Sequence, residues 1–332
     1  MQNSISESQK NPPRLIPSLV EGFNAVAGNV YIILFPITVD LFLWFGPMIR
    51  VRNLLLPTLL RALDLSASTY GDESGLLKES AQQLWTVMLE GFNLLFGIRT
   101  FPIGVPSLMI SQGAMNNPLG SLEVFELNSS NSAALLIILI SVVGILLGSF
   151  YFSLIAAVAN ESQKKVAAAN ILKKALQSIL LSVILLITII AFGLPLMCLF
   201  SGILLFIPAL GILPFTLFGI IMVWILLPFA FSPHGIFTNQ LQATRSVVTS
   251  IKLVRSLMAS SGMFLIMVIL LSYGMDILWS TPSADSWMMA IGIGGHAFIS
   301  SSLLAASFVY YRDGVRWLGG RVKPHQTDTQ KA

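Results

Sequence analysis

The sequence is short of charge. Asp, Glu, Lys and Arg together make up 10% of its 332 residues, against roughly 25% in ordinary soluble domains. A fold solvated by water needs charge to cover its surface; a fold solvated by lipid does not. Between Ala175 and Thr244 there is no Asp, Glu, Lys or Arg, and His234 and the weakly acidic Cys198 are the only titratable side chains. A globular core helix needs no such run, whereas about 20 apolar residues cross a bilayer. Cysteine is nearly missing too. A single Cys198 excludes an intrachain disulfide and any Cys-based zinc cluster. Only three histidines are present, and none forms His-Glu-x-x-His. No glycine-rich phosphate loop precedes a lysine, and no Gly-x-Ser-Gly is found. Tyr273-Gly-Met-Asp276 lacks the second glycine of an intramembrane aspartyl protease loop. Asp313-Gly314 does not continue into the arginine and paired aspartates of membrane phosphotransferases. The expectation is therefore a protein that is not an enzyme and needs no cofactor or metal.

What is present is hydrophobic: 55% of the residues. The fold class that follows is an all-α integral membrane protein with about six transmembrane helices and amphipathic interfacial helices. Residues 1–20 read as a disordered tail, and 21–47 as the first transmembrane helix, centred on Phe23–Phe45. That span is too long for a signal core and is read as retained. Residues 48–132 form a loop with amphipathic helices, one of them over 76–97. Its Phe101–Ile110 stretch is apolar but carries Pro102 and Pro106, so it reads either as a shallow re-entrant piece or as a lid. Residues 133–311 hold five further helices: 133–159, 176–204, 212–231, 262–279 and 287–311. Pro208, Gly211 and Pro214 place the break in the charge-free run. Residues 312–332 are a basic tail.

The net charge of +4 does not point to nucleic acid, because the cations sit in short clusters beside apolar spans. Those clusters set orientation instead. With the N-terminus in the cytoplasm, the cytoplasmic segments hold Lys10, Arg14, Lys164, Lys165, Lys173, Lys174, Arg245, Lys252, Arg255, Arg312, Arg316, Arg321, Lys323 and Lys331. Only Arg50, Arg52, Arg61, Lys78 and Arg99 remain, all in the long loop. The expectation is a multi-pass protein of the plasma (inner) membrane with both termini cytoplasmic and 48–132 outside. Arg50 and Arg52 run against the rule and make the first crossing the weakest. Trp44, Trp279 and Trp287 at one boundary, and Tyr310 and Tyr311 at the other, read as headgroup anchors.

Polar residues inside apolar spans are costly unless paired or hydrated. Asp40, Asp276 and His296 all fall in the outer half of the membrane under this topology. One reading is a proton-linked or cation-binding polar site. The other pairs Asp40 with Arg50 or Arg52, lets Asp276 reach the headgroups, and bonds His296 to a backbone carbonyl or serine. Small residues at Ala290, Gly294, Ala297, Ser301 and Ala305, and at Gly144 and Gly148, read as helix-packing faces. Ile236–Met258 reads as amphipathic, with Phe237, Leu241, Val248, Ile251 and Met258 on its apolar side. It either lies on the inner leaflet or docks a protein partner through Arg245, Lys252 and Arg255.

Asn239-Gln-Leu-Gln-Ala-Thr-Arg-Ser246, Leu253-Val-Arg-Ser-Leu257 and the terminal Tyr310-Tyr-Arg-Asp313 give residues 133–313 a resemblance to a broad group. It resembles uncharacterised bacterial multi-pass membrane proteins, including those similar to the membrane domain beside glycerophosphodiester phosphodiesterases. The resemblance implies a membrane-embedded module and brings no catalytic residue; the 46–132 segment lies outside it. Two functions are expected. One is a non-enzymatic module that scaffolds or regulates a partner. The alternative is a secondary transporter or channel using Asp40, Asp276 and His296.

Overall fold

The computed structural model describes residues 12–70, 75–113, 116–160 and 168–322. The first eleven and last ten residues, and Lys164 and Lys165, lie outside these. The chain is an all-α integral membrane protein. Five helices are long and apolar enough to cross a membrane, or six if a bent pair of helices counts as one span.

The bent pair replaces the single first helix expected over 21–47. Helix α1 is Leu15–Ala27 and α2 is Leu34–Phe45, and they meet at 86°. Asn29 leaves helical geometry with φ −137° and ψ 52°. Its amide caps the freed carbonyl of Ala25 at 2.9 Å, and a 3-10 turn at Val30–Ile33 leads into α2. Irregular backbone at membrane depth survives only when its polar groups are satisfied this way. The helix also begins at Leu15, so the expected disordered tail is helical from there.

After α2 comes a separate segment. Strand β1 (Met48–Arg50) pairs in parallel with β4 (Val124–Glu126). Between them lie α3 (Arg52–Tyr70), α4 (Gly75–Gly91), the single turn α5 (Met109–Gln112) and a small hairpin of β2 (Asn116–Asn117) with β3 (Gly120–Ser121). The amphipathic helix expected over 76–97 stops at Gly91 and a 3-10 turn follows at Leu94–Ile98. Asn93, 1% exposed, ties the base together. It accepts from the Ile49 and Leu95 amides and donates to the Pro47 carbonyl.

The spans follow: α6 (Ser130–Ala159), α7 (Ala168–Phe206), α8 (Leu213–Leu226), the short α9 (Ser232–Asn239), α10 (Ala243–Ser256), α11 (Met258–Trp279) and α12 (Met289–Val322). The break between α7 and α8 falls where the prolines place it, with Gly211 supplying the left-handed φ of 54°. The tip is apolar and open: Phe206 is 89% and Ile212 79% exposed. Helix α12 is the axis of the bundle. Over half of its apolar window is buried, against 6% for Leu213–Asn239.

Small residues explain that central position. A Cβ on Gly22 of α1 would lie 2.5 Å from the Ala306 Cα of α12. Ala297, Ser301 and Ala305 are fully buried, as the small-residue face requires. The face departs from expectation at its start, however. Ala290 is exposed and a Cβ on Gly294 would meet nothing within 4 Å, while one on Gly292 or Gly295 would meet Trp279. Gly144 and Gly148 of α6 receive no helix; they press on the carbonyls of Ile98 and Ile103.

The aromatic anchors are also partly corrected. Tyr310 and Tyr311 are 0% exposed and pack with Phe231, because α12 continues to Val322 where a tail was expected. Trp44 is 1% exposed and donates to the Ala284 carbonyl at 2.7 Å. Trp287 alone of the three tryptophans stays largely exposed, at 61%.

Candidate functional site

Residues 99–112 enter the bundle and decide the lid question. Ile103, Val105 and Leu108 are buried, at most 2% exposed. Asp40 holds this lid. Its Oδ1 accepts from the Ser107 hydroxyl at 2.5 Å and the Met109 amide at 3.1 Å, and its Oδ2 from the Leu108 amide at 3.1 Å. All three partners are donors, which suits a group that accepts on both oxygens. Asp40 does not pair with Arg52, which meets Glu90 at 3.4 Å.

Beside the lid, between α11 and α12, lies a cavity of about 390 Å³. Helix α11 lines it with Leu265, Val268, Ser272 and Asp276, and α12 with His296, Ser300, Leu303, Leu304 and Ser307. Each set repeats at helical spacing and so forms one face of its helix. The middle is apolar and both ends are polar. At one end His296 Nδ1 lies 2.8 Å from Asp276 Oδ1, and Nε2 lies 3.3 Å from the Ser300 hydroxyl. The imidazole is 6% exposed and the carboxylate 36%.

A serine hydroxyl either donates or accepts by rotating. With the ring neutral, Nδ1–H donates to Asp276 and Nε2 accepts from Ser300. With the ring charged, both nitrogens donate and Ser300 turns. Either arrangement keeps both bonds.

At the other end His234 Nε2 lies 2.7 Å from the Ser307 hydroxyl. That hydroxyl donates to the Leu304 carbonyl at 2.6 Å, so it accepts from Nε2–H. His234 Nδ1 has no hydrogen-bond partner among the described residues. Arg99, exposed, stands on the cavity lining from the lid side. It has no ion pair among the described residues.

Of the three residues singled out in sequence, the structure brings Asp276 and His296 together and gives Asp40 a different task. His234, Arg99, Ser300 and Ser307 were not foreseen. The spacing His296–Ser300–Ser307, four and then seven residues on one helix face, is the signal that carries the two serines; His234 and Arg99 lie on other elements and have no such signal.

The amphipathic segment is two helices and not one. Gln240, with φ 52°, ends α9 before α10 starts. Its buried side is the expected one only in part: Phe237 is buried and Ile251 packs on the core. Ser246, Ser250, Leu253 and Val254 are fully buried, while Val248 is 49% and Met258 40% exposed. The inner side of the segment is packed into the bundle. Arg245, Lys252 and Arg255 remain exposed on one face of α10. Among the described residues no cluster of three His, Cys, Asp or Glu could hold a metal. Comparison with protein-family models, curated proteins and solved structures finds no match.

Proposed function

We propose that this protein is a membrane-embedded transporter whose working site is the α11–α12 cavity, with Asp276 and His296 as its protonatable pair. One observation carries the reading: a carboxylate and an imidazole 2.8 Å apart at the polar end of a cavity within apolar helices. Ionisable residues at membrane depth are costly and mark solute or proton pathways. The apolar middle between two polar ends fits a small solute that is mostly hydrocarbon with a hydrogen-bonding group at each end. Orientation belongs to the proposal: both termini cytoplasmic, in the plasma (inner) membrane, with the 48–132 segment outside.

The test is reconstitution in liposomes loaded with a pH-sensitive dye. Wild-type protein carries a proton flux that His296→Gln and Asp276→Asn lose. Equal flux in all three removes the pair from the mechanism. Cysteines placed at Lys164 and Lys252 in a Cys198→Ser background label only from the cytoplasm if the orientation holds.

A second reading is a module that scaffolds or regulates a protein partner. The exposed row of Arg245, Lys252 and Arg255, without ion pairs among the described residues, favours it. Pull-down from detergent with these three neutralised would give a partner list identical to wild type if this reading is mistaken.

A further inference from the structure

We infer that the pocket at Lys174 is a binding site for a phosphate-type oxyanion, supplied by an anionic phospholipid headgroup. It is separate from the α11–α12 cavity and does not depend on the transport reading. The pocket lies between the start of α7 and the α9–α10 corner. Asn170, Lys173, Lys174, Gln177 and Gln240 give it its polar lining.

A census of donors and acceptors makes the case. The Lys174 ammonium has three N–H donors and no acceptor. One donates to the Ser153 hydroxyl at 3.2 Å, and the ammonium lies 5.5 Å from the centroid of the Phe237 ring. Lys174 has no carboxylate partner among the described residues. Gln177 spends its oxygen on the Ala243 amide at 2.8 Å, which leaves its NH₂ to donate elsewhere. Lys173 adds a second, exposed ammonium. The pocket thus presents two cations and a spare amide donor, and no acid. A half-buried cation without a counter-charge is unfavourable, and an oxyanion supplies what is missing.

Size and depth narrow the ligand. The pocket holds about 20 Å³, room for roughly one oxygen-sized atom. One phosphate oxygen reaches Lys174 while the rest of the group stays in the mouth with Lys173. Lys174 is also the last charged residue before the charge-free run that begins at Ala175. That places it where hydrocarbon gives way to headgroups, the depth of lipid phosphates.

The test is thermal unfolding of the full chain in detergent with added phosphatidylglycerol, phosphatidylcholine or inorganic phosphate. Phosphatidylglycerol is expected to raise the wild-type midpoint by about 3–5 °C, as ligand linkage predicts for binding well above Kd. Phosphatidylcholine should raise it less. The shift should vanish in Lys174→Met and fall by about half in Lys173→Gln, whose exposed side chain keeps folding intact if Lys174→Met does not fold. An equal shift with inorganic phosphate, lost in the same variants, keeps the oxyanion site and makes its source soluble. No shift in wild type with either anion, or equal shifts in wild type and Lys173→Gln, overturns the inference.

Discussion

Replacing Asp40 by alanine should loosen the lid without unfolding the bundle. Asp40, Ser107, Leu108 and Met109 are all at most 2% exposed, so water does not stand in for the lost carboxylate. The Ser107 hydroxyl can rotate to another acceptor. The Leu108 and Met109 amides cannot, and each stranded N–H costs about 1–3 kcal/mol, or about 2–6 together. Against this stands burial of Ile103, Val105 and Leu108, worth about 1.5–3 kcal/mol each. The two terms are comparable, so the lid stays associated but loses its fixed position. Asp40→Asn keeps Oδ1 as an acceptor and turns an NH₂ toward the Leu108 amide, for a loss of about 1–3 kcal/mol. Ser107→Ala removes one charge-assisted bond and should cost about 1.5–3 kcal/mol. The assay pairs thermal unfolding with thiol labelling of Val105→Cys in a Cys198→Ser background. Labelling should be slow with Asp40 present and fast in Asp40→Ala. An Asp40→Ala protein with wild-type midpoint and slow labelling would show that apolar packing alone fixes the lid.

Three other perturbations follow from close contacts. Gly22→Val should lower stability by about 1–3 kcal/mol through overpacking against Ala306; an unchanged unfolding midpoint would mean that α1 does not press on α12. Asn93→Leu should cost about 2–4 kcal/mol, since it strands the Ile49 and Leu95 amides. Faster proteolytic nicking within 51–98 would register it. Arg312 is 13% exposed and bonds Glu21, Asp313 and the Ala159 carbonyl. Arg312→Gln should cost about 2–3 kcal/mol, below the 3–5 of a buried pair because Glu21 and Asp313 are 43% and 36% exposed. A change below about 0.5 kcal/mol, the range of neutral surface substitutions, would place the arginine outside the load of the fold.

Hydropathy located the spans because lipid selects on composition over about 20 residues. It missed the α1–α2 bend because a sum over a window does not register Gly28-Asn29, where the chain turns. Periodicity misjudged α10 for a different reason. It counts serine as polar and sends it outward, yet Ser246 and Ser250 are among the buried residues of that helix. They are inside because each hydroxyl finds a carbonyl there, of Ser232 and of Pro228. Asp276 and His296 were legible as costly intramembrane groups, but their meeting was not, since it depends on how α11 and α12 pack. Asp40 had the same signal and a different outcome. Its partners are two backbone amides and a serine in a loop, and backbone amides carry no sequence signature.

The bent N-terminal arm also imposes an order of events on biosynthesis. Asp40 leaves the ribosome 67 residues before Ser107, and Trp44 leaves 240 residues before the Ala284 carbonyl it bonds. Pro13 precedes Ser260 by 247. At 5–20 residues per second, the wait for Ala284 is about 12–48 s. Through that interval the surface of the arm that ends against α12 has no α12 to meet. The arm that begins the chain is therefore among the last parts to settle. A nascent chain halted before residue 289 should hold its hairpins and the bonds of Asp40 to Ser107, Leu108 and Met109, but leave α1 without the helix it packs on, open to proteases or to insertion factors that shelter unpaired helices.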